Sequence, residues 1–259
     1  MPSRGYIEEL EFDLPTKLLE ELVKLFDEMT EGPLDTSTIS SSVKEEQGVY
    51  QLFKDGELVY IGKTDSDAGL KRRLLRHSKK IQSRNNLDVE QVGFKAIRVY
   101  VFTAMDLEGL LIKHYREKGI RPGWQHSGFG SNDPGRERDS TEVKDDSFDA
   151  LYPINLDEVV ILESDSNTMK VADLLTQMKN QLHYNIRFQT EPPRSRNPHP
   201  ELKEKEVTVD SLEGTTFQYL QRAKRALGDS WRIMTLPGYV IIYKNDRRKI
   251  PSGTIVEAD

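Results

Sequence analysis

The chain has 259 residues, no cysteine and a formal net charge of −6. That length favours two domains over one core, and a composition 36% hydrophobic and 31% charged excludes a disordered chain. The missing cysteines exclude disulfides and thiolate metal sites and fit a reducing, cytoplasmic setting. No apolar run approaches the roughly 18 residues of a membrane span, and MPSRGYIEELEFD lacks the apolar core of a secretory signal. The acidic balance weighs against nucleic-acid binding by the whole surface, yet phosphate binding answers to local charge.

Leu18, Leu19, Leu22, Val23, Phe26 and Met29 recur at helical spacing, so Pro15–Met29 is predicted as an amphipathic helix started by Asp13 and Pro15. Glu31–Gln47 is polar and rich in Ser and Thr and reads as a loop. The stretch GVYQLFKDGELVYIGKTDSDAGLKRRLLRH, residues 48–77, then sets two strand-like runs, Gly48–Phe53 and Leu58–Gly62, about a turn. A two-residue Asp55-Gly56 turn would pair Tyr50 with Ile61 and send the two phenols to opposite faces. A three-residue loop with Gly56 in a bulge would set Tyr50 opposite Tyr60, and this second geometry is the expectation if both phenols serve one site.

Leu70–Ile81 follows as a helix with Leu70, Leu74 and Ile81 inward, and Arg73 and His77, four apart, share a face. Lys71, Arg72, Arg73, Arg76, Lys79, Lys80 and Arg84 occur between Ala68 and Leu87 without an acid, a repulsion that a polyanion relieves. Ala96–Thr103 reads as a strand and Ala104–Lys118 as a helix, with Glu108 bordering the apolar stripe of Leu107, Leu111 and Tyr115. A carboxylate there needs a cation or metal, and Gly109 beside it admits a close approach. Arg116–Ser140 is punctuated by Gly and Pro and is too long for a plain connector, which favours a functional loop. Glu137–Phe148 is acidic, polar and expected to be exposed.

From about Leu156 the pattern restarts: strand Val159–Leu162, helix Lys170–Leu182, strand Asn185–Gln189, a Pro-rich loop Glu191–Lys205, strand Val207–Val209, helix Thr216–Leu227, and a hairpin of Trp231–Leu236 and Tyr239–Lys244. This β-α-β followed by β-α-β-β is read as a second small α/β domain.

Ile61-Gly62-Lys63-Thr64 mimics the end of a P-loop, but that motif needs Gly where Glu57 stands, and Gly56 is one residue too early. His77, His114 and His126 lack HExxH or cysteine spacing for zinc, and no GxSxG supports a serine nucleophile.

Taken together, Gly48-Val49-Tyr50, Val59-Tyr60-Ile61-Gly62-Lys63, Arg73, His77 and Glu108 resemble the GIY-YIG nuclease family over about residues 48–133. Gly128-Phe129-Gly130-Ser131-Asn132-Asp133-Pro134-Gly135 resembles the GFGxxDPG tail of its Type II restriction endonuclease branch. The resemblance implies an α+β fold with a small mixed sheet flanked by helices, and magnesium-dependent (or other divalent) hydrolysis of double-stranded DNA. It also implies the roles. Tyr50 is the general base or orients it, Tyr60 holds the water or the scissile phosphate, and Arg73 stabilises the transition state. His77 takes or holds the proton of Tyr50, and Glu108 binds the metal. Lys63 would be a phosphate contact. By charge and position rather than by resemblance, Arg72, Arg76, Lys80 and Arg136 are further candidates to meet phosphates. The family's Asn is replaced by Gln125 after Pro122-Gly123-Trp124, with Asn132 as a second candidate for its amide role and for substrate contact.

The chemistry of the residues agrees. Phosphodiester hydrolysis builds negative charge that fixed cations stabilise. A phenol, with an ordinary pKa near 10, needs neighbouring positive charge or an acceptor to act as a base, and the cationic face around Arg73 offers the first and His77 the second. One carboxylate with substrate oxygens and waters suits magnesium. The expected division is a nuclease domain at 1–155 and a domain for specificity or dimerisation at 156–259. A palindromic target would call for a homodimer on DNA. Arg84, Arg136, Arg138 and Arg194 are candidates for base readout by charge and position. The alternatives are a DNA-binding module of the same fold without catalysis, or a nuclease of repair or mobile elements.

Overall fold

The structure is a computed structural model that describes residues 11–64, 69–100, 106–131, 135–193 and 195–259. The fold is α+β and divides into two units. The first comprises residues 1–75 and 90–123, and the second residues 76–89 and 124–259. The boundary expected at 155 therefore moves. Residues 76–89 and 124–155 go with the C-terminal half, where Ile154 joins the core and Asn85 N–H donates to Pro153 O at 2.8 Å.

The first unit opens with α1 (Leu14–Glu28), capped by the Asp13 carboxylate, which accepts from Thr16 N–H. Its Leu22, Val23 and Phe26 join Val49, Ile61, Leu111, Ile112 and Tyr115 in one core. The segment expected as a loop holds β1 (Gly32–Pro33) and the short helix α2 (Thr36–Ser42), which Asp35 caps through Thr38 N–H at 2.8 Å. The Asp-Thr-Ser-Thr cap was the signal there, hidden by a helix with one buried residue, Ile39.

Next come β2 (Gly48–Lys54), β3 (Glu57–Lys63), α3 (Leu70–Ile81), β4 (Val92–Arg98) and α4 (Leu107–Glu117). The sheet order is β1-β4-β2-β3. Every pairing is antiparallel, so the sheet is not mixed as expected. The strand expected at Ala96–Thr103 is shifted, starting at Val92 and ending at Arg98, while residues 101–105, with the expected helix start at Ala104, lie outside the described residues.

The three-residue hairpin loop is also corrected. Asp55 and Gly56 both have positive φ, 52° and 78°, and Lys54 pairs with Glu57, which makes a two-residue turn of the primed type. Phe53 then pairs with Leu58 but Leu52 pairs with Tyr60, so Val59 is the extra residue of a β-bulge. The bulge restores the parity that the turn alone would lose. Tyr50 lies opposite Gly62, not Tyr60, and both phenols still project from one face.

In the second unit α5 (Phe148–Leu151) is followed by β5 (Val159–Ile161), β6 (Thr168–Lys170), α6 (Val171–Gln181) and β7 (Asn185–Phe188). After α7 (Pro200–Glu204) come β8 (Glu206–Thr208), β9 (Glu213–Thr215), α8 (Thr216–Leu227), β10 (Trp231–Leu236), β11 (Tyr239–Lys244) and β12 (Thr254–Ile255). Strands β6 and β9 and helix α7, unread in the sequence, turn the expected pattern into two β-β-α-β runs. Their pairing is reciprocal: β5 lies against β9 and β6 against β8. Loop bonds repeat the exchange. Leu162 N–H donates to Leu212 O and Val209 N–H to Asn167 O; Val171 N–H reaches Lys205 O and Thr216 N–H reaches Glu158 O.

α6 and α8 pack together, and Thr215 and Gln218 close a capping box at the start of α8. A four-stranded sheet of order β12-β10-β11-β7, parallel only between β11 and β7, packs one face, with Trp231, Ile233, Val240 and Ile242, into that core. The free edge of β5 is met by α6. The Gln181 amide accepts from Ile161 N–H at 3.0 Å and donates to Ile161 O at 2.7 Å, and the Gln177 amide does the same at Glu163, at 2.6 and 3.3 Å. Four residues of helix and two of strand advance by similar lengths, about 6 to 7 Å, which lets the two amides match alternate strand residues.

Residues 137–148 are not simply an exposed acidic run. Asp139 and Phe148 are both 0% exposed. The Asp139 carboxylate accepts from Arg187, from Tyr239 Oη at 3.0 Å and from Arg248 at 3.5 Å, and Phe148 sits among Trp124, Phe129 and Tyr152. Among the described residues no helix is long and apolar enough to cross a membrane.

Asp139→Ala would leave the shielded Arg187 guanidinium without its carboxylate. Removing one partner of a buried ion pair costs about 3–5 kcal/mol. Chemical denaturation of the variant is expected to show a loss of that order, and a loss below about 1 kcal/mol would mean that Arg187 does not depend on Asp139.

Candidate active site

In the first unit the structure gathers Tyr50, Tyr60, Lys63, Arg73 and Glu108, residues from four different elements. Tyr50 is central on β2 and wholly buried, and Tyr60 on the edge strand β3 is 6% exposed. Their ring centroids are 6.1 Å apart, tilted by 35°. Gly62 makes this possible. A Cβ there would stand 2.3 Å from Tyr50 Oη, so the ring of Tyr50 occupies the place of the missing side chain.

Arg73 reaches the pair from the first turn of α3. Its Nε donates to Tyr50 Oη at 3.3 Å, and Tyr60 also hydrogen-bonds the guanidinium. Burial pushes the Tyr50 phenol above its ordinary value, Tyr60 adds to that, and Arg73 opposes it. Tyr60 is raised chiefly by burial and then by Glu108. Both phenols are therefore neutral near pH 7, and the positive charge expected to make Tyr50 a base does not overcome its desolvation in the protein alone.

Glu108 lies in the first turn of α4 and takes a hydrogen bond from the Lys63 backbone N–H. Burial and then Asp106 hold its carboxyl above the usual range. Asp106 is the residue that the sequence reading missed. It is the N-cap position of α4 and bonds Lys63 Nζ at 2.9 Å. Placing the helix start at Ala104 hid it, whereas a start at Leu107 would have marked it as a cap. The space beside Gly109 is filled by this carboxylate, because a Cβ there would meet Asp106 Oδ2 at 2.4 Å. Lys63 and Asp106 are exposed, 49% and 67%, so their bond is a weak one that another anion can replace.

Two carboxylates two residues apart, one of them desolvated, make a donor set of hard oxygens. It fits a small divalent cation that keeps water and takes further oxygens from a substrate. Among the described residues no group of three or more His, Cys, Asp or Glu is placed to hold a metal.

The Arg72 guanidinium lies 3.9 Å from Glu45, whose carboxylate also accepts from the Arg72 backbone N–H at 3.1 Å, and Lys71 donates to Ser40 O at 2.8 Å. The unbalanced basic run is thus partly answered from within the chain.

The remaining candidates belong to the second unit. His77 is 1% exposed and stacks on Phe129 at 4.7 Å. Arg76 donates to Gly130 O at 3.1 Å and Lys80 to Gly128 O at 3.0 Å. Burial pushes the Lys80 ammonium down to about 8, with Asp149 opposing. Gln125 is half-buried in the turns between Gly123 and Gly130. Arg136 lies over the Tyr243 ring at 4.3 Å, and Arg84 pairs with Asp149 at 2.8 Å, which removes it from base readout. Arg138 is exposed on the same short turn as Arg136. Asn132, with Asp133 and Pro134 of the glycine-rich tail, and Arg194 lie outside the described residues.

Compared with known proteins, the chain matches no family model and no curated relative.

Two outcomes follow from the ionisation states. A carboxyl whose pKa is raised on folding adds stability below its unfolded value and loses it as pH rises through the folded one. Glu108→Gln is therefore expected to raise the thermal midpoint at pH 7 and to give no gain at pH 4; a fall at pH 7 would contradict the desolvation. The raised phenols make stability fall as pH climbs past about 10. Tyr50→Phe is expected to flatten that alkaline fall in denaturation curves, and an unchanged slope would show that Tyr50 titrates normally.

Proposed function

We propose that the chain is a divalent-metal-dependent DNA endonuclease using the chemistry of the GIY-YIG family, cutting both strands of a specific site in the cytoplasm as a homodimer on DNA. One observation carries the reading: a single guanidinium, Arg73, bonds two phenols that share a sheet face, with Glu108 close enough to bias both. A core-packing role would not need an arginine and a desolvated glutamate at the same place.

In this reading a phosphodiester lies against Arg73 and Lys63. Lys63 exchanges the exposed Asp106 carboxylate for a phosphate oxygen, and Arg73 neutralises the charge that grows on the oxygens around the pentacovalent phosphorus. Glu108, with Asp106 beside it, would hold a divalent cation, which would supply Lewis-acid polarisation of the phosphate. Tyr60 holds the phosphate or the water. The neutral Tyr50 phenol supports its orienting role over the role of primary base. His77, one helical turn after Arg73, carries an imidazole of the type that exchanges protons near neutral pH. Water attacks phosphorus and gives up one proton to the His77 imidazole, one P–O ester bond breaks, and the departing oxygen gains a proton from solvent.

Gln125 at the position of an asparagine favours a second reading, a DNA-binding module that has lost catalysis. Supercoiled plasmid incubated with magnesium decides between them. Wild type is expected to linearise it, Glu108→Ala to abolish cutting while still retarding DNA in gels, and Arg73→Ala to slow cutting about 10²- to 10³-fold. Intact plasmid with retained binding would select the binding module, and neither cutting nor binding would end both readings.

A further inference from the structure

We propose that the turn Gly128-Phe129-Gly130 positions the His77 imidazole, with Phe129 as the positioning residue. The inference rests on the endonuclease reading, in which His77 exchanges a proton during cleavage, and it gives the glycine-rich segment a mechanical task.

Three residues of the turn meet three residues of α3. Arg76 Nη2 donates to Gly130 O at 3.1 Å and Lys80 Nζ to Gly128 O at 3.0 Å. Between these two bonds the rings of His77 and Phe129 stack at 4.7 Å with only 15° between their planes. Each residue is 1% exposed. Behind Phe129 stand Trp124 at 4.8 Å and Phe148 at 4.7 Å, so the phenyl ring has no room to withdraw. Lys80 Nζ also lies 5.6 Å from the centre of the Phe129 ring and 5.5 Å from that of Phe148, tying the staple to the same aromatic group. Gly128 has φ of 85°, which allows the chain to double back at that point.

The stacking has a chemical consequence. A histidine is commonly oriented through a carboxylate on its second nitrogen, which also raises its basicity. A phenyl face fixes the plane of the ring without adding charge. The imidazole is held flat, with its nitrogens at the rim. Glycines on both sides of Phe129 let the turn press the phenyl ring against the helix while the two basic side chains grip its carbonyls. A purely structural account, in which Phe129 only fills the aromatic group of Trp124, Phe148 and Tyr152, would also bury the ring but gives no reason for its parallel alignment with His77.

Single-turnover cleavage of plasmid DNA with magnesium tests the proposal through Phe129→Leu, which keeps apolar volume and removes the flat face, in wild-type and His77→Ala backgrounds. The expected result is a saturated rate lower by about 10- to 100-fold, the scale of a misplaced catalytic group. The half-saturating protein concentration should stay within about twofold. In the His77→Ala background the same change should cost less than about twofold, because the group it positions is gone. Equal losses in both backgrounds, or an unchanged rate in Phe129→Leu or in His77→Ala, would overturn it. If Phe129→Leu loses cooperative unfolding, Lys80→Met, which cuts one staple at the half-buried edge, replaces it and must show the same dependence on His77. Failure of wild type to cut DNA would fell the endonuclease reading, and the inference with it; a cutting wild type with additive losses would fell the inference alone.

Discussion

The first unit is arranged around the cost of burying two phenols. Neither tyrosine ring is free to keep its hydroxyl in water, and Arg73 is the group that makes their burial tolerable by bonding both. That requirement reaches back into the backbone. The hydroxyl of Tyr50 must pass over a strand, so its partner in the register has to be Gly62. The two phenols must share a face, so a two-residue turn has to be followed by a bulge at Val59. Arg73 must reach both hydroxyls, and it does so from the first turn of α3. The local sequence is written by these demands more than by the needs of a hairpin.

The same demands explain what could be read from the chain beforehand. The order of tyrosine, tyrosine, arginine and glutamate is visible in one dimension, and the structure brings those side chains together. α3, α8 and the final hairpin agree with their expected limits because strong period-3.6 or period-2 patterns are bounded by Gly, Asp or Pro. The register of β2 on β3 was not legible. Two devices, a three-residue loop or a tight turn plus a bulge, give the same parity, and sequence does not distinguish them. Asp106 was missed because a helix start misplaced by three residues turns a cap into an ordinary first-turn acid. Strands β6 and β9 escaped because three residues carry no measurable period, and they exist through their partners. The basic run on α3 looked unbalanced because its acceptors, Glu45, Ser40 O, Gly128 O and Gly130 O, come from distant positions.

The division inside α3 carries a lesson about boundaries. Composition shifts near residue 155, but burial does not. The helix that bears Arg73 in one unit continues as the helix that bears His77 in the other, and Ile154 already belongs to the C-terminal core. Asp139 shows how strongly the intervening segment is tied. A carboxylate with no exposure receives Arg187, Tyr239 and Arg248, so a stretch that reads as acidic and exposed is anchored on the C-terminal sheet.

The glutamines of α6 have an effect beyond the unit they complete. A primary amide has the same donor and acceptor as a peptide group, so Gln177 and Gln181 stand in for a neighbouring strand along β5. Val159 and Ile161 are 53% and 59% exposed on that strand, the kind of edge that templates intermolecular fibrils. The outward hydrogen-bonding groups of Ile161, and of Glu163 just past the strand, are already taken by side chains and are not offered to a foreign backbone. That partial cover of a sticky edge comes from chemistry that hydropathy profiles do not register.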